Sequence, residues 1–370
     1  MSFFVKIFPP KKVGFLVETS RPYGGIKNPF RMVAGLNKLG KYRATLVSPE
    51  PYPHWAEPVL SYLQHDPFDP GLSRKFDLLV AAGFRLPKAF LNHTHKALII
   101  HLMQGYELNL KEAQPHQEEI LACYRAPFPR ITNSPRLKEL LEAKHPFKHI
   151  YSAGQGIDTH YFYQGSNAFN PQRAPLPIYI FGHFHSSVKQ VKPALDAVKI
   201  ARVKLPSLKV VRVSLYDCHV EEEAYLGAPI DYHIQLPPQK IGALYREAPG
   251  IFLAPNDPNE GLGIPPLEAM AAGMPVIATK IPSFLNYAPE PNFARFVEVG
   301  DSAGMAQAIL DTVHQNSETK NQIKNGFEVV KKYQPEQFIQ KTQEALDIIW
   351  HDRKRVRQDF ANYTAQTGSP

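Results

Sequence analysis

Runs of four to six apolar residues, each followed by a longer stretch with helical spacing, recur along this chain. The first, Val13 to Val17, has the length of a buried strand. A glycine turn at Gly24-Gly25 follows. Asn28-Pro29 then reads as an N-cap with proline in the first helical position, opening a helix through Leu39 that Gly40 stops. Ala44 to Ser48 returns as a strand. Asp77 to Ala82 and Ala97 to Leu102 are further apolar runs, and Asn133-Ser134-Pro135 caps a helix to about Ala143. Strands that alternate with helices imply parallel pairing, because a crossover has to carry the chain back to the starting edge.

The pattern restarts at Ile178 to Phe181, with Gly182 behind it and a helix from Val191 to Lys204. Leu208 to Ser214, Ile251 to Ala254 and Pro275 to Ala278 are the next strands, interleaved with helices at Gln239 to Glu247 and Pro265 to Ala272. Helical stretches at Ser302 to Gln315 and Glu318 to Lys332 follow. The predicted fold class is α/β, with two Rossmann-like, doubly wound units in tandem at residues 1–165 and 178–334. The boundary falls in the proline-containing stretch Gln164 to Pro177. Residues 335–370 predict a helical segment that packs back toward the first unit. A chain of 370 residues suits two domains sharing a cleft.

Composition adds limits. Hydrophobic residues are 44% and charged residues 21%, so the chain can bury an ordinary core. No apolar run approaches the ~20 residues of a membrane span, and the apolar start is too short for a signal-peptide core. The expected location is cytoplasmic. Cys123 and Cys218 lack the spacing of a disulfide framework or a zinc motif. Charge is uneven: residues 1–165 carry 21 Lys+Arg against 13 Asp+Glu, while residues 166–370 carry 21 of each. With Arg353-Lys354-Arg355-Val356-Arg357 near the end, the excess suits an anionic membrane surface, to which the protein would be peripheral, or a phosphate-bearing acceptor. No nucleic-acid motif accompanies the charge, so no nucleic-acid partner is expected.

The chemistry concentrates between Glu260 and Gly273. Glu260-Gly261-Leu262-Gly263 follows a strand and precedes a helix that Pro265 opens, with Glu268 in its first turns. Glycines there let backbone approach a ligand, and a helix N-terminus offers N–H groups to phosphate. Carboxylates beside a phosphate site call for hydroxyls as partners, since like charges disfavour one another. A ligand with phosphates in the middle and polyols at both ends is a nucleotide-sugar.

Two glutamates with seven residues between them, ahead of Ala-Met-Ala-Ala-Gly-Met-Pro-Val-Ile-Ala, resemble the motif of retaining family 4 glycosyltransferases, the glycosyl transferases group 1. Gly24-Gly25 resembles that family's N-terminal glycine loop, and Gly156-Ile157-Asp158-Thr159 its interdomain segment. The resemblance implies a GT-B fold, two Rossmann-like domains facing a central cleft, and transfer from a nucleotide-sugar to a carbohydrate or lipid-linked acceptor with retention. It implies that Glu260 contacts the donor sugar and Glu268 the ribose, with Gly261, Leu262 and Gly263 facing sugar and diphosphate. Lys189 matches the family's diphosphate lysine, whereas His183 stands where the family has an arginine. His101 matches the family's catalytic histidine after a first-domain strand, and Gln104-Gly105-Tyr106-Glu107 resembles a segment of rhamnan-related members.

No Asp-x-Asp occurs, so neither a metal nor another cofactor is expected; the nucleotide-sugar is a substrate. A glycoside hydrolase also uses paired carboxylates but needs no anion site. A nicotinamide enzyme would need Gly-x-Gly-x-x-Gly, which both first-strand turns lack. The alternative of another class is a catalytically silent nucleotide-sugar-binding or membrane-associated scaffold on the same fold.

Overall fold

The computed structural model describes residues 9–22, 24–56, 61–91, 93, 95–163 and 169–367. Part of the predicted boundary, residues 164–168, lies outside them. The first unit runs β1 (Lys11–Leu16), α1 (Gly24–Leu39), β2 (Tyr42–Ser48), β3 (Tyr62–Gln64), β4 (Leu78–Ala82), α2 (Arg85–Lys88) and β5 (Leu98–Met103). It continues through α3 (Gln117–Arg125), β6 (Arg130–Thr132), α4 (Pro135–Lys144), β7 (Ile150–Ser152) and α5 (Thr159–Phe162). Its seven strands pair in parallel in the order β3-β2-β1-β4-β5-β6-β7.

The second unit runs β8 (Leu176–Phe181), α6 (Val191–Arg202), β9 (Leu208–Ser214), α7 (His219–Leu226), β10 (Asp231–Ile234), α8 (Pro238–Glu247) and β11 (Ile251–Ala254). Then come α9 (Ile264–Ala271), β12 (Val276–Thr279), α10 (Pro282–Leu285), β13 (Arg295–Val297), α11 (Ser302–His314) and α12 (Asn316–Val330). Its sheet is parallel, in the order β10-β9-β8-β11-β12-β13. In both sheets the strand order reverses beside the first strand, at β1/β4 and β8/β11. The crevice at the carboxyl ends of such strands is where doubly wound folds hold ligands.

The tail forms α13 (Pro335–His351) and α14 (Arg353–Thr367). Phe338, Ile339, Leu346, Ile349 and Val356 are buried in one cluster with Val13, Phe15, Val33 and Leu36 of the first unit. Gly35 of α1 makes that docking close, since a Cβ there would lie 2.4 Å from the Ile339 side chain.

The start of α1 departs from expectation. Asn28 is not its N-cap; the helix begins at Gly24, and Pro29 lies inside it. A proline there has no N–H to give the carbonyl four residues back, which is that of Gly25. The amide of Gln104 fills the gap, donating from Nε2 to the Gly25 carbonyl at 2.7 Å while its Oε1 accepts from Asn28 Nδ2 at 2.8 Å. The expected glycine loop is thus the first helical turn, held by a side chain from beyond β5.

Candidate active site

The mouth of the β8/β11 crevice is built from two turns. After β8, Gly182 has φ +117°, and a Cβ on it would lie 2.6 Å from Lys189 Cγ. Glycine there lets the Lys189 stem lie across the turn. Its ammonium meets Glu260 Oε2 at 2.6 Å, and Asn256 Nδ2 donates to the same oxygen at 2.5 Å. An ammonium has three protons, and this side chain keeps a third of its surface exposed. Lys189 can therefore hold Glu260 and still face an anion.

The turn after β11 is pinned from below. Thr279 Oγ1 donates to the Asn256 carbonyl at 2.6 Å, and the Tyr287 hydroxyl bonds the Leu262 carbonyl at 2.7 Å as well as that of Gly263. Gly263 caps α9 with φ +77°, and a Cβ there would meet the Phe284 ring at 2.5 Å. Pro265 is not in the first helical position. Ile264 is, and Pro265 and Pro266 follow it. Two of the first helical positions thus have no N–H, so the amides this helix start could offer an anion are those around Gly263 and Ile264, with Lys189 beside them.

Glu268 sits on the second turn of α9 with 1% of its surface exposed. Its Oε1 has no hydrogen-bond partner and lies 3.8 Å from Lys27 Nζ, which reaches it from α1 of the other unit. The cleft between the units has a volume of about 370 Å³, within the range of small-molecule sites, roughly 300–1,000 Å³. Of the predicted residues it collects Gly25, His183, Lys189, Glu260, Leu262, Gly263 and Glu268 on its walls. Gly24 is the first residue of α1. Gly261 packs on the first unit, where a Cβ would lie 2.4 Å from the Gln104 carbonyl oxygen.

His183 lines the cleft with its ring edge against Tyr216, at 4.9 Å between centroids. Burial, reinforced by the neighbouring His185, holds its pKa below the ordinary histidine value. His101 is not among the residues that line the cleft. It lies within β5, which runs on to Met103, and is fully buried, with Nδ1 3.7 Å from Cys123 Sγ. Burial and the nearby Arg130 guanidinium push its pKa well below the usual value, so it is a neutral core residue away from the cleft wall.

Several cleft residues escaped sequence reasoning, among them Lys27, Asn256 and Gln104. Lys27 and Asn256 carried only a weak signal, Lys27 standing three residues after Gly24. Gln104 was noted only as part of a resemblance, although its amide and carbonyl tie α1 to the donor-side turn.

Residues 178–356 match the family model described as Glycosyl transferases group 1. A segment of 83 residues is 32% identical to a phosphatidyl-myo-inositol mannosyltransferase of Mycobacterium leprae, spanning 22% of this chain and 22% of that relative. Among solved structures, sucrose-phosphate synthase from Thermosynechococcus elongatus superposes with a TM-score of 0.72 at 15% identity, over 92% of this chain and 99% of its own. The Anabaena protein HepE in complex with UDP-glucose gives 0.73 at 14% identity, over 91% and 99%. WaaG, a glycosyltransferase involved in lipopolysaccharide biosynthesis, gives 0.69 at 14%, over 91% and 99%. At such identities these likenesses establish the two-domain GT-B fold.

Proposed function

From the match of residues 178–356 to the glycosyl transferases group 1 family model, we propose that the chain moves a sugar from a nucleotide-sugar to a carbohydrate or lipid-linked acceptor, retaining the anomeric configuration and using no catalytic metal. The observation that carries this reading is Glu268, a buried carboxylate whose Oε1 lacks a hydrogen-bond partner on a cleft wall. Leaving such an acceptor unmade costs about 1–3 kcal/mol. A ribose diol brings two O–H donors and fits that need.

Glu260, held by Lys189 and Asn256, orients the hydroxyls of the donor sugar. Lys189 and the amides around Gly263 take the growing charge on the diphosphate as the glycosidic bond breaks, a preorganised stabilisation that needs no side-chain nucleophile. The acceptor attacks from the same face, and a departing phosphate oxygen takes its proton. Because HepE was captured with UDP-glucose, UDP-sugars are the first donors to test.

Calorimetry with free nucleotide separates the two carboxylates. Glu268→Gln weakens nucleotide binding by about 1–3 kcal/mol, the scale of a charge-assisted hydrogen bond. Glu260→Gln abolishes turnover and leaves nucleotide binding intact. Equal affinities for the two variants overturn the assignment.

A further inference from the structure

Beyond the cleft's carboxylates, two loops at its rim bring together four side chains of the kind that hold transition metals. His185 Nε2 lies 2.9 Å from Glu221 Oε2, and one ligand atom each from His185, Cys218 and Glu221 fall within 4.8 Å of one another. His183 Nε2 is 3.8 Å from Cys218 Sγ. With Zn–N near 2.1 Å and Zn–S near 2.3 Å, the edges of a tetrahedral site are about 3.4–3.7 Å. The His185–Glu221 and His183–Cys218 separations, 2.9 and 3.8 Å, bracket that figure. His185 and Glu221 are each about half exposed, so an ion has an open path.

The placement has a structural cause. Arg212 on β9 is fully buried and donates to the carbonyls of Ile180 and of Gly182, the latter at 2.6 Å, fixing the turn that carries His183 and His185. The same guanidinium grips Glu222 on α7 at 2.5 and 3.0 Å, fixing the helix start that carries Cys218 and Glu221. Tyr232 accepts the Cys218 N–H on its hydroxyl at 3.2 Å. Both ligand pairs thus stand on one rigid bracket, as supporting shells do in metal sites.

We propose that His185, Cys218 and Glu221, with His183 as the fourth ligand, bind a divalent transition cation of the zinc class. Two imidazoles, a thiolate and a carboxylate suit a tetrahedral ion and are poor for magnesium or calcium, which take oxygen ligands. On binding, Cys218 gives its thiol proton to solvent and the thiolate sulfur bonds the metal. The ion uses the lone pair of His183, so the site is a rim device that withdraws this imidazole from the donor cleft, separate from sugar transfer.

The test titrates the full chain, free of nucleotide, with Co²⁺ alone. One equivalent binds, with tetrahedral visible bands and a near-ultraviolet thiolate-to-cobalt band, and Zn²⁺ displaces it. Cys218→Ser removes the near-ultraviolet band, while Cys123→Ser, at the buried cysteine, keeps it. His185→Ala and Glu221→Gln each weaken binding about tenfold or more, and both are surface changes that leave thermal unfolding unaltered. Absence of saturable cobalt binding, or an unchanged spectrum in Cys218→Ser, overturns the site. A wild-type spectrum and affinity in His183→Ala overturns its link to the cleft.

Discussion

Gly261→Ala isolates the contact between the two units. Gly261 is not in the left-handed region, so alanine fits the turn itself. The obstacle is across the cleft: the added Cβ would stand 2.4 Å from the Gln104 carbonyl oxygen, where ordinary contact is about 3.4 Å or more. That oxygen cannot retreat. Asn133 Nδ2 holds it at 2.9 Å, and the Gln104 side chain is bonded to Gly25 and Asn28. The donor turn must then move away by about 1 Å, and a misplacement of that size costs on the order of 10²-fold in rate. The residues proposed to hold the nucleotide, Glu268, Lys189 and the Gly263 amides, all belong to the second unit, so on that proposal calorimetry should return an unaltered affinity while turnover falls about 10²-fold. Gly263→Ala is the contrast: φ +77° and the Phe284 ring at 2.5 Å strain the turn from inside, so nucleotide affinity and thermal stability both drop. Wild-type turnover in Gly261→Ala, or a loss of its nucleotide affinity equal to that of Gly263→Ala, refutes the argument.

Product analysis by NMR should show the donor's anomeric configuration kept, with no loss of turnover in EDTA; an inverted product or a strict Mg²⁺ requirement contradicts the mechanism. Burial and the neighbouring His185 lower the His183 pKa, and a bound diphosphate would favour the protonated form, so donor affinity should rise as pH falls through and below the ordinary histidine value of about 6.5. His183→Arg should tighten binding and flatten the profile, and a profile untouched by His183→Ala removes the imidazole from the diphosphate. The basic first unit should co-sediment with anionic vesicles and be released by salt, at about 1 kcal/mol per lysine or arginine near the surface; equal binding to neutral vesicles counts against this.

The long strands and helices were legible because their apolar runs outlast the noise of single residues. Leu208–Ser214 and Ile251–Ala254 fall where the pattern puts them. The short strands Tyr62–Gln64, Arg130–Thr132 and Ile150–Ser152, the first and last at the sheet's edges, were not read. Three residues carry no period, and their pairing partners supply the structure. The start of α1 misled local rules because the residue that repairs its proline gap, Gln104, lies far along the chain. His101 shows the limit of reading a strand end: whether the strand stops at Ile100, ahead of His101, or runs on to Met103 decides whether that side chain stands at a strand end or inside a buried strand, and periodicity does not resolve a boundary of two or three residues. The glutamate pair was legible through its motif, yet the lysine facing Glu268 was not, since it comes from the other unit.

That lysine also connects the site to the hinge. The segment after Ala153 and the segment before Pro335 run side by side, with Ile157 N–H donating to the Tyr333 carbonyl at 2.9 Å and Gly156 packed where a Cβ would meet Pro335 Cα at 2.8 Å. Two adjacent crossings leave rotation about their common line as the easiest relative motion, the hinge geometry of paired domains. Arg31 on α1 grips this line, donating to Asp158 from Nε at 2.9 Å and to the Gly156 carbonyl from Nη1 at 3.1 Å. One helical turn earlier on the same face stands Lys27, 3.8 Å from Glu268. A rotation that opens the cleft leaves the Arg31 contacts near its axis intact and separates Lys27 from Glu268 and Gln104 from Gly261. Those two contacts report closure together with the Arg136–Ser283 and Ser187–Glu112 hydrogen bonds that also join the two units, and the first two depend on the first turn of α1, where Gln104 stands in for the hydrogen bond that Pro29 cannot make.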